Sequence, residues 1–432
     1  MRRISIRAQE KHQFFISNRS LPAFRHSEVR PAVILVMNLY QQNHPKNFWC
    51  FADEVPKAIW QRAIAQAKPR LGIARETDDI DSILQLVLGE GQFGTNHWRL
   101  SSLKRLYYNL KPILPRHLIR IMRQLYHPIS RNSFSLGWPI EERYVLFLWE
   151  IARQIIILTG RSSLAVNPLW PASNRFALVL THDIETGYGQ KFVRRVADLE
   201  ENLGFRSSFN FVPERYVIDH SLVNELKERG FEVGIHGLKH DGKLFSSRAE
   251  FERRAKLINK YLKTFGAVGF RAPFMHRHPE WMQILDIEYD LSFFDTDPYE
   301  PITGGTMNPW PFFIGHFVEL PYTLVQDFTL TSLLGESSPR IWLEKVEFIA
   351  KYHAMALLNS HPDYLAKKTT WDVYHNFLIT MKDRKGYWHA LPREIARWWR
   401  SRTTNDSLSR DDSGTATVSP KNGDLEFSDS AT

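Results

Sequence analysis

The chain has 432 residues and a single cysteine, Cys50. One thiol excludes an intramolecular disulfide and any all-cysteine metal site, which fits a reducing compartment. Long apolar runs are missing too. "AVILVM" from Ala32 is short and reads as a strand, while "YVLFLWEIARQIIIL" from Tyr144 is interrupted by Glu150, Arg153 and Gln154. Neither reaches the roughly 20 apolar residues a membrane-spanning helix needs. The positive start "MRRISIRAQEKHQFF" is followed by no apolar segment of adequate length and no small-residue cleavage site, so it does not read as an export signal. The expectation is a protein of the cytoplasm, soluble or peripheral to the membrane.

Negative charge is locally absent. No acidic residue falls between Glu90 and Glu141, although Arg99, Lys104, Arg105, Lys111, Arg116, Arg120, Arg123 and Arg131 all lie there, in a chain of net charge +9. Within this stretch "PRHLIRIMRQLYH" places Leu118, Ile119, Met122, Leu125 and Tyr126 on one helical face, with Arg116, Arg120 and Arg123 on another. Such a helix suits an anionic membrane surface, and residues 99–131 are the candidate contact. Amphipathic helices more often dock on their own protein with a solvated basic back. No recognition motif accompanies the charge, so a nucleic-acid partner is not expected.

What is present is a change of pattern. Residues 1–170 read as a mixed, largely helical region broken by Pro112, Pro115 and Pro139, basic over 91–140, with no chemical motif. From Phe176, short apolar runs ("FALVLTHD", "SSFNFVP", "FEVGIHG", "GFRAP", "YDLSFFD", "FVELPYT", "HAMALLNSHP") alternate with helical segments such as "RAEFERRAKLINKYLKTF". Seven strands with intervening helices argue for an α/β fold, either a parallel sheet or a barrel with an incomplete ring, over 171–402. Residues 403–432 are rich in Ser, Thr, Asp and Gly and are expected to be a disordered tail.

Polar groups gather where the strands end. "LVLTHDIETG" loads Asp183 and Glu185 onto one face of a strand end, where the two carboxylates repel unless a cation joins them. "GIHGLKHDG" sets His236 and His240 four residues apart, a spacing that brings both imidazoles within reach of one ion. Arg271 and Phe274, Asp295 and Asp297, and His361 follow at later strand ends. Taken alone the histidine pair is weak, but a closed or partly closed sheet gathers all these groups at one rim. The set suggests metal-assisted hydrolysis: Glu185, His236 and His240 as ligands, Asp183 as a free base, Arg271 orienting it, and His361 donating a proton. Asp295 or Asp297 would raise the basicity of His361. His182, by strand alternation, points away from Asp183 and reads as a packing residue. His276 and His278 read as loop residues, and "PWPFF" from Pro309 and Trp388 as core or a sugar-stacking surface.

The ordered motifs "THDIE", "HGLKH", "FRAPF", "FDTDPYEP" and "LLNSHP" resemble the polysaccharide deacetylases, the NodB homology domain of carbohydrate esterase family four. The resemblance covers about Phe176 to Arg402. It implies a deformed (β/α)7 barrel that removes acetyl groups from N-acetylated sugars of a polysaccharide or its lipid-linked precursor, with a divalent metal, often zinc. It assigns Asp183 as base, His236 and His240 as metal ligands and His361 as general acid. The backbone amide near Phe274 would help the metal stabilise the oxyanion. Two positions depart from the common pattern: Ile184 separates Asp183 from Glu185, and Phe274 stands where a tyrosine is usual. The alternatives are another carbon–nitrogen hydrolase on the same barrel, acting on a ring amide or ureide, and a non-catalytic carbohydrate-binding relative.

Overall fold

In the computed structural model the run from Phe176 to Ile184 forms strand β2, every residue of which is buried. A strand covered on both faces has no polar side, and this is why Phe176 to Leu180 is a continuous apolar run rather than an alternation. The structure describes residues 38–73, 77, 79–95, 97–100, 132–403, 416–421 and 424–429. Residues 101–131, which include the basic amphipathic segment, lie outside the described residues.

All seven expected strands form. They are β2, β3 (Ser208–Phe211), β4 (Glu232–His236), β5 (Gly269–Arg271), β6 (Tyr289–Asp290), β8 (Phe317–Glu319) and β9 (Met355–Ser360). Each pairs with the next in parallel from β2 to β6, β6 pairs with β8, and β9 returns to β2 over Ala177↔Met355 to His182↔Ser360. The segment after β8 closes the ring: Leu324 bridges Leu358 in parallel, and the amides of Thr323 and Leu324 both donate to the Leu357 carbonyl at 3.1 Å. The result is a deformed (β/α)7 barrel, with β6 reduced to two residues. Among the strands outside the expected seven are β1 (Leu164–Val166), β7 (Phe312–Ile314), which makes an antiparallel hairpin with β8, and β10 (Tyr387–His389), which pairs with the start of β2.

Helices cover the barrel. That of Arg248–Phe265 starts where Ser247 Oγ accepts from the Glu250 amide at 3.2 Å and stops at Gly266, whose φ of 57° supplies the left-handed turn. It buries Phe251, Ala255, Ile258, Leu262 and Phe265, an i, i+4, i+7 stripe facing the sheet.

Asn38 to Thr432 is one compact unit. The helix Arg143–Thr159 brings Trp149 onto Trp310 at 5.5 Å and 19°, so the aromatics of "PWPFF" are core: Trp310 is buried, with its indole N–H on the His353 carbonyl. Trp388 packs between Trp170 and Trp398. Buried Arg402 donates to the carbonyls of Phe48, Asn167 and Pro168 at 2.6, 3.1 and 2.9 Å.

The tail differs from its expected disorder. β11 (Ala416–Lys421) pairs antiparallel with β1, placing Leu164 opposite Val418, and also with β12 (Asp424–Asp429). The physical reason is a period of two hidden in a polar composition: Ala416 and Val418 are buried, and Leu425 and Phe427 are partly so, with Phe427 stacking 5.9 Å from Trp49. The intervening "NG" at 422–423 is a hairpin signal in its own right. Residues 404–415 lie outside the described ones. Among the described residues no helix is long and apolar enough to cross a membrane.

Candidate active site

The ends of β2 and β4 and the turn after β4 bring three side chains together. Glu185, His236 and His240 each offer one ligand atom, and these atoms all lie within 4.8 Å of one another. The turn depends on Gly237 (φ 62°), where a Cβ would stand 2.4 Å from the Pro273 ring. His236 Nδ1 is 3.1 Å from the Arg271 carbonyl. A carbonyl only accepts, so this contact places the proton on Nδ1 and leaves Nε2 as the free lone pair. Burial holds the His236 imidazole down at about 4, against the opposing charge of Asp183, and so keeps it neutral.

His240 Nε2 is buried, makes no hydrogen bond and sits 3.1 Å from Glu185 Oε1. Burial disfavours the Glu185 charge, but His240 and then His361 and His236 overcome that cost and hold its carboxyl well below the usual range. An ionised carboxylate, a neutral imidazole and a second imidazole nitrogen converging on one point are the donor set of a divalent-metal site with positions left open. The residues fit such an ion. Asp363 steadies the carboxylate's backbone, accepting from the Glu185 amide at 3.1 Å and from Thr186 Oγ1.

Asp183 is buried and stands beside this group, with Oδ2 3.9 Å from His236 Nδ1. Oδ1 accepts from Asn210 Nδ2 at 3.0 Å and Arg271 at 3.1 Å, and Oδ2 accepts from Asn359 Nδ2 at 3.0 Å. Burial would raise its pKa, but Arg271 and then His236, His361 and Asn210 carry it well below the ordinary carboxylate range. Arg271 therefore acts on Asp183 as the sequence suggests, and is itself fixed by Leu291, Thr181 and Asn359.

His361 follows β9. Its partner is not Asp295 or Asp297 but Asp327, whose Oδ1 lies 2.7 Å from His361 Nδ1 and whose Oδ2 accepts from the His361 amide at 2.9 Å. Burial would lower the imidazole's pKa, but Asp327, with Glu185 and Asp183, drives it up to about 10, so it is protonated at neutral pH. Asp295 is instead neutralised by Lys345 at 2.5 Å, and Asp297 accepts from Tyr322 Oη at 2.7 Å and the Tyr299 amide. Strand order placed these carboxylates near the rim, but Lys345, on the helix Arg340–Lys351, claims Asp295, and sequence spacing carries no sign of that pairing. Asp327 follows β8 within no recognised motif. Its only signal is that an acid follows a strand end.

Phe274 has φ 60°, costly for an aromatic residue, and its ring centroid lies 4.4 Å from that of His240. His182 points away from Asp183, as strand alternation predicts, with Nε2 2.6 Å from Glu200 and Nδ1 2.9 Å from Ser360. His278 stacks on Trp281 at 4.1 Å.

No family model matches the chain, and no curated protein matches it. Solved structures do. A provisionally assigned polysaccharide deacetylase from Mycobacterium smegmatis is 17% identical over 55% of this chain and 94% of its own, with a TM-score of 0.46. A probable polysaccharide deacetylase from Pseudomonas aeruginosa PAO1 is 16% identical over 55% and 96%, with a TM-score of 0.45. An allantoinase is 14% identical over 54% and 93%, with a TM-score of 0.44.

Proposed function

We propose that the protein is a metal-dependent hydrolase that removes N-acetyl groups from an N-acetylated sugar of a polysaccharide or its lipid-linked precursor. The observation that carries this reading is the placement of an ionised, non-ligating carboxylate, Asp183, and a protonated imidazole, His361, around one cluster of Glu185, His236 and His240. A binding module needs neither a base nor an acid.

Glu185, His236 and His240 would hold a divalent ion, with zinc the first candidate, and such an ion would supply Lewis acidity toward the attacking water and the acyl oxygen. Asp183 takes the proton of the attacking water. Its carboxylate is ionised at any working pH but is a weak acceptor, so it depends on an acidified donor. Arg271, Asn210 and Asn359 leave it one orientation. His361 gives its Nε2 proton to the departing amine, and Asp327, bound to Nδ1, keeps the ring protonated beforehand. Phe274, held in its left-handed conformation, fixes the backbone on which the oxyanion would rest. Residues 99–131 remain the proposed contact with an anionic membrane, which would suit a lipid-linked substrate.

The test is elemental analysis together with acetate release from N-acetylglucosamine oligomers. Wild type should hold about one divalent ion and release acetate. Asp183→Asn should keep the metal and lose at least about a hundredfold in rate, while His236→Ala should lose metal and activity together. Wild type that takes up no metal under any loading condition refutes the reading.

A further inference from the structure

Asp183 is gripped from two sides, and one grip continues away from the site. Asn359 Nδ2, which donates to Asp183 Oδ2 at 3.0 Å, also lies 3.4 Å from Gln326 Oε1, and Asn359 Oδ1 accepts from Arg271 at 2.6 Å. Gln326 Nε2 in turn donates to Glu300 Oε1 at 2.5 Å. Glu300 sits partly buried in the loop after β6, where Tyr322 Oη also reaches its Oε1 at 3.2 Å. Its remaining charged surroundings are Asp297, which shares that Tyr322 hydroxyl, and the more distant Arg277 and His361.

A side-chain amide has a donor end and an acceptor end, and a chain of two amides transmits orientation only if both termini are fixed. Here they are. Burial, and then the neighbouring Asp297 charge, raise the Glu300 carboxyl to about 8, so it carries a proton at neutral pH, and its Oε1 takes the Gln326 amide N–H and turns Gln326 Oε1 toward Asn359. Arg271 can only donate, so Asn359 Oδ1 faces Arg271 and its Nδ2 faces Asp183. Without Glu300, Gln326 is free to turn its N–H groups toward Asn359 Nδ2. Two donors would then meet, and the grip of Asn359 on Asp183, though still anchored by Arg271, would loosen.

We propose that Glu300 is a positioning residue for Asp183, acting through Gln326 and Asn359. This rests on the reading of Asp183 as the base. Glu300 lies in "FDTDPYEP", the motif whose two aspartates turn out to be engaged with Lys345 and Tyr322.

The experiment compares Glu300→Leu, Glu300→Gln and Gln326→Leu in the metal-loaded enzyme, recording kcat, KM, bound zinc and the side-chain amide resonances of Asn359 in asparagine-labelled protein. Glu300→Leu and Gln326→Leu should lower kcat by about tenfold, the weight of one hydrogen bond to a charged group, with KM and zinc content unchanged. Both should shift the Asn359 resonances. Glu300→Gln, whose carbonyl accepts the same bond, should restore kcat and the wild-type resonances. A rise in KM at unchanged kcat would mean that Glu300 touches substrate, and overturns the proposal. Unchanged kcat with unmoved Asn359 resonances in Glu300→Leu overturns it too. Should Glu300→Leu fail to fold, Gln326→Leu decides by the same readings. If wild type releases no acetate, it is the deacetylase reading that fails, and the Asn359 resonances alone then support or overturn the coupling.

Discussion

Asp327 decides how far into the alkaline range His361 keeps its proton. The imidazole is raised to about 10, and the Asp327 carboxylate is the strongest of the charges that hold it there against burial. Asp327→Asn removes that charge, and the pKa falls. The alkaline limb of the kcat profile should therefore move toward acid by more than about one pH unit, with a loss of at least about fivefold at pH 10. A profile measured from pH 5 to 10 that stays in place would separate Asp327 from the acid's function. The same pair has a stability signature. A histidine whose folded pKa lies above its unfolded value of about 6.5 stabilises fully below that value and loses the contribution as pH rises through about 10. Denaturation of Asp327→Asn should show a flatter dependence across that window. Of these residues the sequence made the gathering of Asp183, Glu185, His236, His240, Arg271 and His361 legible, because each ends or closely follows an apolar strand. Asp327, Asn210 and Asn359 were not legible, since their importance lies in which way a side chain turns and which neighbour it meets.

At the scale of elements, the geometry of the Glu185, His236 and His240 cluster hangs on a turn. Gly237 combines a φ of 62° with a Cβ position 2.4 Å from Pro273 Cγ, so Gly237→Ala should destabilise by about 1–3 kcal/mol. Because the same turn connects His236 with His240, zinc affinity should fall as well. Denaturant unfolding with and without zinc would show both effects, and equal stability of the two proteins would contradict the strain. The seven barrel strands were legible because burial on both faces writes an apolar run into the sequence. β7 and β10 were not, being three residues each and dependent on neighbours for their pairing. β6 was read longer than its two residues because "LSFFD" continues the apolar run beyond the point where pairing with β5 stops.

For the whole molecule, the barrel and the described residues among 38–170 share one interior, and the C-terminal hairpin belongs to it. Val418 is fully buried opposite Leu164. Val418→Asp would leave a charge without a partner there, and should cost about 2–4 kcal/mol with a fall in Tm. A tail without structure would tolerate the change, so an unaltered Tm would refute the hairpin. Composition concealed this element, since serine, threonine and aspartate outnumber the few apolar residues whose alternation defines it.

The pairing of β11 with β1, together with Arg402 on the carbonyls of Phe48 and Asn167, also sets an order in time. A ribosome releases the first half of the chain long before it makes the residues that complete it. β1 must therefore wait through the synthesis of the entire barrel with its edge unpaired, and the region around Phe48 must wait without its guanidinium clamp. Such late, long-range closure is slow and leaves the nascent chain open to wrong partners. Protection of the early segment during translation is thus built into the demands of this fold.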